Sequence, residues 1–196
     1  KTMKKPNLLA LLVAIIFPLA TQAQVLNEGF ESWPPDEWTT IHVSGTVSWE
    51  SYTTAHSGTR SASINYATSG HENYLVTPLL APVAGDSLSF FASAQSYANT
   101  TLTIEVSTTT SEAAAFDTVL ATYTTGSMGT LGTTSPTTWV NKTIDLSGFA
   151  GQNIYIAFHV VDDNGGRLNI DDVTGVHLFM RSRSEERRVG KECRSQ

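Results

Sequence analysis

The 196-residue sequence is poor in cysteine and, outside its two ends, in basic residues. Its single cysteine, Cys193, cannot form a disulfide within the chain, so the fold must be held by core packing, with or without a metal ion. Nine of the 12 lysines and arginines lie in residues 1–23 or 181–196, and three of the 18 aspartates and glutamates lie in 181–196. Residues 24–180 therefore keep three basic and fifteen acidic side chains. So acidic a domain is a poor partner for nucleic acid or for an anionic membrane surface.

The sequence also lacks a hydrophobic run long enough to cross a bilayer comfortably. Its longest apolar stretch, residues 8–20, follows two lysines and precedes small residues at Thr21 and Ala23. A basic start, a short apolar centre and small residues before the cleavage point are typical of a secretory signal peptide, whereas a transmembrane anchor needs a longer apolar run. We therefore predict a signal peptide over residues 1–23 and a secreted or cell-surface mature form without membrane insertion.

The C-terminal segment differs sharply in composition from the rest of the chain. Residues 181–196 are mostly charged, whereas residues 24–180 are rich in threonine, serine and alanine. Residues 183–195 resemble, position by position, the in-frame translation of a common sequencing-adapter oligonucleotide. We interpret 181–196 as a non-structural tail of that origin and expect the natural protein to continue past about residue 180. The alternative is a basic tail that binds nucleic acid or a membrane.

No long helical period occurs in residues 24–180, and short alternating apolar segments are separated by Ser, Thr, Gly and Asn. Such a pattern predicts one all-β domain, a jelly-roll β-sandwich of about ten antiparallel strands. Residues 126–136 are predicted to be a loop. The predicted strands lie at 25–30, 46–52, 61–66, 74–78, 87–95, 102–106, 119–123, 139–146, 153–160 and 168–172.

The segment between the last two predicted strands consists of turn-forming residues. Residues 162–166 read Asp-Asp-Asn-Gly-Gly, which tolerate positive φ and predict a hairpin turn. The segment lacks the acidic spacing and the terminal glutamate of an EF-hand loop. Neither an H-E-x-x-H nor a G-x-S-x-G motif is present, and the five histidines are scattered, so we predict that the domain is not an enzyme.

Several short motifs occur in order along the domain: N-E-G-F-E-S at 27–32, W-T-T-I at 38–41, Trp49, H-S-G at 56–58, N-Y-L-V-T-P at 73–78, W-x-x-x-T-I-D-L-S-G-F-A-G-Q at 139–152 and N-I-D-D-V at 169–173. This ordered set resembles one family, the cleaved-adhesin or choice-of-anchor β-sandwich modules. Such modules occur in the haemagglutinin-adhesin regions of gingipain-type proteases and in exported proteins of bacteria that use type IX secretion. The resemblance implies a non-catalytic jelly roll, similar to MAM and carbohydrate-binding sandwiches, with structural calcium and with other domains in the same polypeptide.

Four carboxylates near the two ends of the domain form a candidate metal site. Asp171 and Asp172 repel each other unless a cation or hydrogen-bond donors lie between them. The terminal strands of a sandwich commonly pair, which would bring Glu28 and Glu31 to the same place. Calcium takes six to eight such oxygen ligands, backbone carbonyls included, and the family resemblance favours this ion. The alternative is that these acids are solvated or paired with the three basic residues of the domain, Arg60, Lys142 and Arg167.

Further ligands and partners follow less directly from the sequence. His56–Gly58 and Asn73 could add oxygen atoms to the metal site if their loops reach it. Trp33 and Tyr97, which lie in polar or proline-rich surroundings, are candidate ligand-binding aromatics. Trp38, Trp49 and Trp139 are instead predicted to be packing residues because each falls within a family motif.

The sequence thus predicts a secreted, calcium-stabilised adhesin or binding module of a larger exported bacterial protein. Its partner would be a host or matrix protein or a glycan. The alternative is an accessory domain of a secreted peptidase or glycosidase, able to bind carbohydrate or protein, whose catalytic domain lies outside this sequence.

Overall fold

Two antiparallel sheets lie face to face in the computed structural model, which describes residues 24–96, 100–132 and 136–180. The predicted signal peptide, the predicted adapter-derived tail and Tyr97 all lie outside the described residues. In the described ranges, no helix is long and apolar enough to cross a membrane. The all-β sandwich predicted from the sequence is confirmed, with twelve strands rather than about ten.

The strands are numbered in chain order. They are β1 (Val25–Glu28), β2 (Thr39–Ser44), β3 (Trp49–Tyr52), β4 (Ser61–Ile64), β5 (His71–Val76), β6 (Ser87–Ala94), β7 (Thr101–Ser107), β8 (Thr118–Thr124), β9 (Gly129–Thr130), β10 (Val140–Asp145), β11 (Tyr155–Asp162) and β12 (Leu168–His177).

The first sheet has the order β10-β6-β12-β4-β3, with β1 added along β12 and the short β9 running parallel to β6. The second sheet has the order β2-β5-β11-β7-β8. β12 pairs with β4 through residues 168–170 and with β1 through residues 173–177. The short strands β4 and β1 therefore lie along the same side of β12, one after the other.

Two strands were not predicted, for different reasons. The residues of β2 are mostly exposed, so the alternation of apolar and polar side chains that indicates a strand is weak there. β9 has only two residues and lies inside the predicted loop 126–136. A pairing this short leaves almost no pattern in a sequence.

The predicted hairpin between β11 and β12 is wrong. β11 pairs with β5 and β7 in the second sheet, whereas β12 pairs with β4, β6 and β1 in the first. The turn-forming residues 163–167 thus connect the two layers, and Asn164 adopts a φ of 62°. Each of the two strands packs its apolar row against the common core from its own sheet.

Aromatic rings fill the space between the sheets. Phe90 and Phe158 meet edge to face with ring centroids 5.0 Å apart, and Phe30 meets Trp38 in the same way at 5.2 Å. Such pairs add about 0.5–1.5 kcal/mol to what the buried area alone contributes. Trp38 and Trp49 are buried, which confirms their predicted packing role, while Trp139 is half-buried.

Candidate metal centre

The candidate site forms where the first and last strands of the domain pair. β1 runs antiparallel to β12, with Val25 opposite His177 and Glu28 opposite Val173. The expected pairing of the two terminal strands is therefore confirmed. Residues 28–31 and 171–172 consequently lie at one corner of the first sheet, beside the loop that connects β3 to β4.

Asp171 is fully buried, and the β3–β4 loop surrounds its carboxylate. Oδ2 accepts hydrogen bonds from the backbone N–H groups of His56 (2.7 Å) and Ser57 (3.3 Å), and Oδ1 accepts one from the N–H of Asp172 (2.8 Å). Burial raises the pKa of Asp171 to about 6, against the effect of the donors from His56 and Asp172. The donors thus compensate the buried negative charge only in part.

Asp172 contacts the same loop through side chains. Its Oδ2 lies 2.6 Å from Nδ1 of His56, and its Oδ1 accepts a hydrogen bond from the hydroxyl of Ser57 at 2.6 Å. Asp172 has a φ of 49°, which is uncommon for a residue with a side chain. Backbone strain of this kind occurs more often at binding sites than elsewhere in proteins.

Glu31 holds the other end of the loop. Its Oε1 accepts hydrogen bonds from the N–H groups of Thr59 (2.8 Å) and Arg60 (3.1 Å), and its Oε2 accepts one from the Thr59 hydroxyl (2.7 Å). The hydroxyl and the N–H of Thr59 lower the pKa of Glu31 below its ordinary value. A Cβ placed on Gly58, whose φ is 64°, would lie 2.1 Å from Glu31 Oε1, so a side chain there would strain the backbone and displace the Glu31 carboxylate.

Residues 56–60, which we call the clasp loop, therefore contact three of the four predicted acids. Glu28 instead accepts a hydrogen bond from the N–H of Phe30 at 2.6 Å, and burial raises its pKa. Phe30 is fully buried with a φ of 55°.

Asn73, the other residue considered for this site, lies elsewhere. It bonds His42 and His71 in β2 and β5 of the second sheet.

The predicted alternative was that these acids are solvated or paired with basic side chains. Among the described residues none of them forms an ion pair with a lysine or arginine, whereas Glu31 is exposed to solvent. The Arg60 guanidinium donates to Ser51, and Arg167 pairs with Glu50. In the described ranges, no group of three or more His, Cys, Asp or Glu side chains already has an arrangement that could hold a metal. The clasp-loop donors occupy the carboxylate oxygens instead.

An aromatic stack that the sequence did not predict supports the clasp loop. The His56 ring lies over Phe91 with centroids 3.5 Å apart and planes inclined by 12°, and Trp139 meets His56 edge-on at 6.0 Å. Phe91 lies opposite Asp171 in the sheet, on the outer face. The adjacent phenylalanines at 90 and 91 were the available signal, because only one of the two can face the core.

The predicted ligand-binding aromatics are placed as follows. Trp33 is half-buried, packs against the core and lies 6.4 Å from the Phe30 ring, so only part of its ring can face a ligand. Tyr97 lies outside the described residues. A binding role for either side chain stays a prediction.

Comparison with known proteins relates this architecture to one family. Hemagglutinin A of Porphyromonas gingivalis is 35% identical in an alignment of 174 residues that covers 76% of this chain and 7% of that protein. Lys-gingipain W83 of the same species is 31% identical in an alignment of 191 residues that covers 86% of this chain and 11% of that protein. The chain thus spans a small part of the length of these relatives.

Solved structures show the same fold. The K3 cleaved adhesin domain of Lys-gingipain superimposes with a TM-score of 0.62 at 28% identity, covering 78% of this chain and 96% of that one. A carbohydrate-binding module, TmCBM61, shares the fold alone, with a TM-score of 0.51 at 16% identity over 78% of this chain and 95% of that one. The family model described as Cleaved Adhesin Domain matches residues 23–175, and the chain belongs to that family.

Proposed function

We propose that the domain is a secreted, non-catalytic adhesin module of a larger exported protein, closed at its terminal strands by a structural calcium ion. Membership of the adhesin family and the sandwich fold support the binding role. The observation that carries the calcium proposal is the buried Asp171 carboxylate at the β1–β12 corner, which has no lysine or arginine partner among the described residues.

Part of the donor set suits calcium. The corner offers carboxylate oxygens from both ends of the domain, and calcium prefers hard oxygen ligands of this kind. The clasp loop gives these oxygens N–H donors rather than carbonyl ligands, so a bound ion would replace those hydrogen bonds. A divalent cation would also remove the repulsion between Asp171 and Asp172 that helps to raise the pKa of Asp171. We expect Glu31, Asp171 and Asp172 to ligate the ion, with Glu28 as the weakest candidate because it lies away from the clasp loop.

Calcium would act on stability rather than on chemistry. A site formed by β1, β12 and the clasp loop exists only in the folded state. The free energy of calcium binding therefore adds to the free energy of unfolding. The domain would then present a rigid surface to its partner, a host or matrix protein or a glycan. Export through type IX secretion would place it outside the cell, where calcium is abundant.

A second candidate function is supported by one of the relatives. Lys-gingipain W83 carries a protease-type name, and this chain resembles about a tenth of it. The domain could thus serve as the accessory domain of a secreted peptidase or glycosidase. The genomic sequence downstream of codon 180 separates the two candidates, because a catalytic domain there would favour the second.

The calcium proposal is tested by thermal unfolding of residues 24–180 with millimolar calcium and with EDTA. Calcium should raise the midpoint by several degrees, since free ligand at 100 times its Kd adds about 2.7 kcal/mol. Asp171→Asn should abolish the rise. Asp145→Asn, which changes an exposed acid at the end of β10, should keep it. An unchanged midpoint in the unsubstituted domain would remove calcium from the proposal.

A further inference from the structure

The outer face of the second sheet carries an ionic cluster that the calcium proposal does not use. At its centre, Nδ1 of His159 lies 3.0 Å from Glu105 Oε1, and Nε2 makes an ion-pair contact of 3.3 Å with Glu72 Oε1 that lacks hydrogen-bond geometry. Tyr74 stacks on the imidazole at 3.9 Å and donates its hydroxyl hydrogen to Glu72. The cluster joins β5, β11 and β7, the three central strands of the sheet.

One oxygen in this cluster has no partner. Glu105 is 8% exposed, and its Oε2 is buried without a hydrogen-bond partner among the described residues. Leaving a buried acceptor unsatisfied costs about 1–3 kcal/mol, and more when the group is charged. Glu105 is thus a buried acid whose one partner in the described residues is His159, and its charge acts on the surface above it through space.

Two exposed valines flank the carboxylates. Val161 lies opposite Glu72 in the β11–β5 pairing and is 54% exposed, and Val119 lies opposite Glu105 in the β7–β8 pairing and is 57% exposed. Directly opposed residues of an antiparallel pair point to the same side of the sheet. Each acid therefore has an apolar neighbour on the same outer surface.

Apart from its histidines, this face carries charged side chains of the negative sign only. None of the five strands of the second sheet contains a lysine or an arginine. The three basic residues within the described ranges belong to the first sheet or its loops: Arg60 precedes β4, Lys142 lies in β10 and Arg167 precedes β12. Even a fully protonated His159 offsets only one of the two carboxylates of the cluster.

Part of the face is already covered by the chain itself. Phe116 and Ala113, from the loop between β7 and β8, pack on Val76, Ala157 and Tyr155. The ionic cluster borders this covered patch, and the Glu72 side chain remains 33% exposed beyond it. The open area therefore begins at the Glu72 carboxylate and continues over Val161.

We propose that this surface docks a polypeptide segment rich in lysine or arginine. Lysine and arginine combine an apolar stem with a cationic head, which matches a valine beside a carboxylate on the same face. A cationic head would bond the exposed carboxylate of Glu72, the buried charge of Glu105 would attract it through space, and the stems would cover Val161 and Val119. The assignment rests on the proposed binding function and specifies the chemistry of the protein partner.

The test uses decalysine as the probe and decaglutamate as its acidic counterpart, with calcium present throughout. Isothermal titration calorimetry of residues 24–180 at low ionic strength should detect binding of decalysine and no binding of decaglutamate. The double variant Glu72→Gln, Glu105→Gln should bind decalysine about tenfold more weakly, which corresponds to about 1.4 kcal/mol. A matched variant, Glu50→Gln with Asp145→Asn, removes the same charge from the first sheet and should change the affinity less than about twofold.

A second measurement locates the probe without any substitution. Amide resonances of β5, β7 and β11 should shift on addition of decalysine, and those of β4, β6 and β10 should not. Absence of decalysine binding, an equal loss in the matched variant, or shifts on the first sheet would overturn the assignment. The calcium experiment does not depend on this face. If calcium stabilises the domain but decalysine does not bind, the docking surface is refuted and the calcium proposal stands.

Discussion

Nδ1 of His56 lies 2.6 Å from Oδ2 of Asp172, a contact between residues 116 positions apart. Through it the clasp loop, which follows β3, is attached to the strand that closes the domain. The same histidine stacks on Phe91 of β6. His56 thus joins the loop to two neighbouring strands of the first sheet.

Replacing His56 should therefore loosen the clasp loop. His56→Ala removes both the Asp172 contact and the stack on Phe91, and we expect the free energy of unfolding to fall by about 1–2 kcal/mol. His56→Phe keeps a ring over Phe91 and should lose less. Urea unfolding followed by tryptophan fluorescence measures both. Equal stability of the alanine variant and the unsubstituted domain would contradict the anchoring role.

Gly58 is the position in the clasp loop where an added side chain would meet the Glu31 carboxylate. Gly58→Ala places a methyl group 2.1 Å from Glu31 Oε1 on a backbone with a φ of 64°. We expect it to lower the free energy of unfolding by about 1–3 kcal/mol and to weaken calcium binding, because Glu31 must move. Gly126→Ala is the control, since a Cβ there would meet nothing within 4 Å. If both alanine variants retain the same calcium response, Glu31 does not contribute to the site.

The burial of Asp162 leads us to expect a pH dependence of stability that does not involve the candidate metal centre. Burial raises the pKa of Asp162 to about 6, from 3.8 in a solvated carboxyl. The folded domain therefore binds the proton more tightly than the unfolded chain, so this residue should make stability fall as pH rises from about 4 to about 6. Asp162→Asn should remove that slope and gain roughly 1–3 kcal/mol at pH 7.

The pH measurement has to compare Asp162→Asn with the unsubstituted domain, because His71 changes stability with pH in the opposite direction. Burial lowers the pKa of His71, so the unfolded chain binds its proton more readily and stability falls as pH decreases below about 6.5. The difference in midpoint between Asp162→Asn and the unsubstituted domain, followed from pH 4 to pH 7 in EDTA, cancels this contribution. A constant difference over that range would refute the assignment to Asp162.

The sequence predicted the features that depend on local alternation and on composition. The inward row of Ile154, Ile156 and Phe158 identified a central strand, and the acids at 28–31 and 171–172 indicated the corner where the ends meet. It could not show that β11 and β12 belong to different sheets. A turn of Asp, Asn and Gly suits a hairpin and a link between layers equally well.

The contacts within the site were not predictable because they join distant positions. The stack of His56 on Phe91 requires the β3–β4 loop to fold back over β6, which no local pattern encodes. In the same way, Asn73 could be assigned to the metal site from its motif, although its strand places it between His42 and His71.

The antiparallel pairing of β1 with β12 also determines how the domain responds to tension. Val25 and His177 form the outermost pair, where the polypeptide enters and leaves the described domain. A force that pulls these two ends apart would therefore break the β1–β12 hydrogen bonds one after another. That opening would reach Glu28 and then the corner held by Glu31 and Asp172. If calcium binds at this corner, it would resist further opening, and the force needed to pull the domain open would rise with the calcium concentration around it.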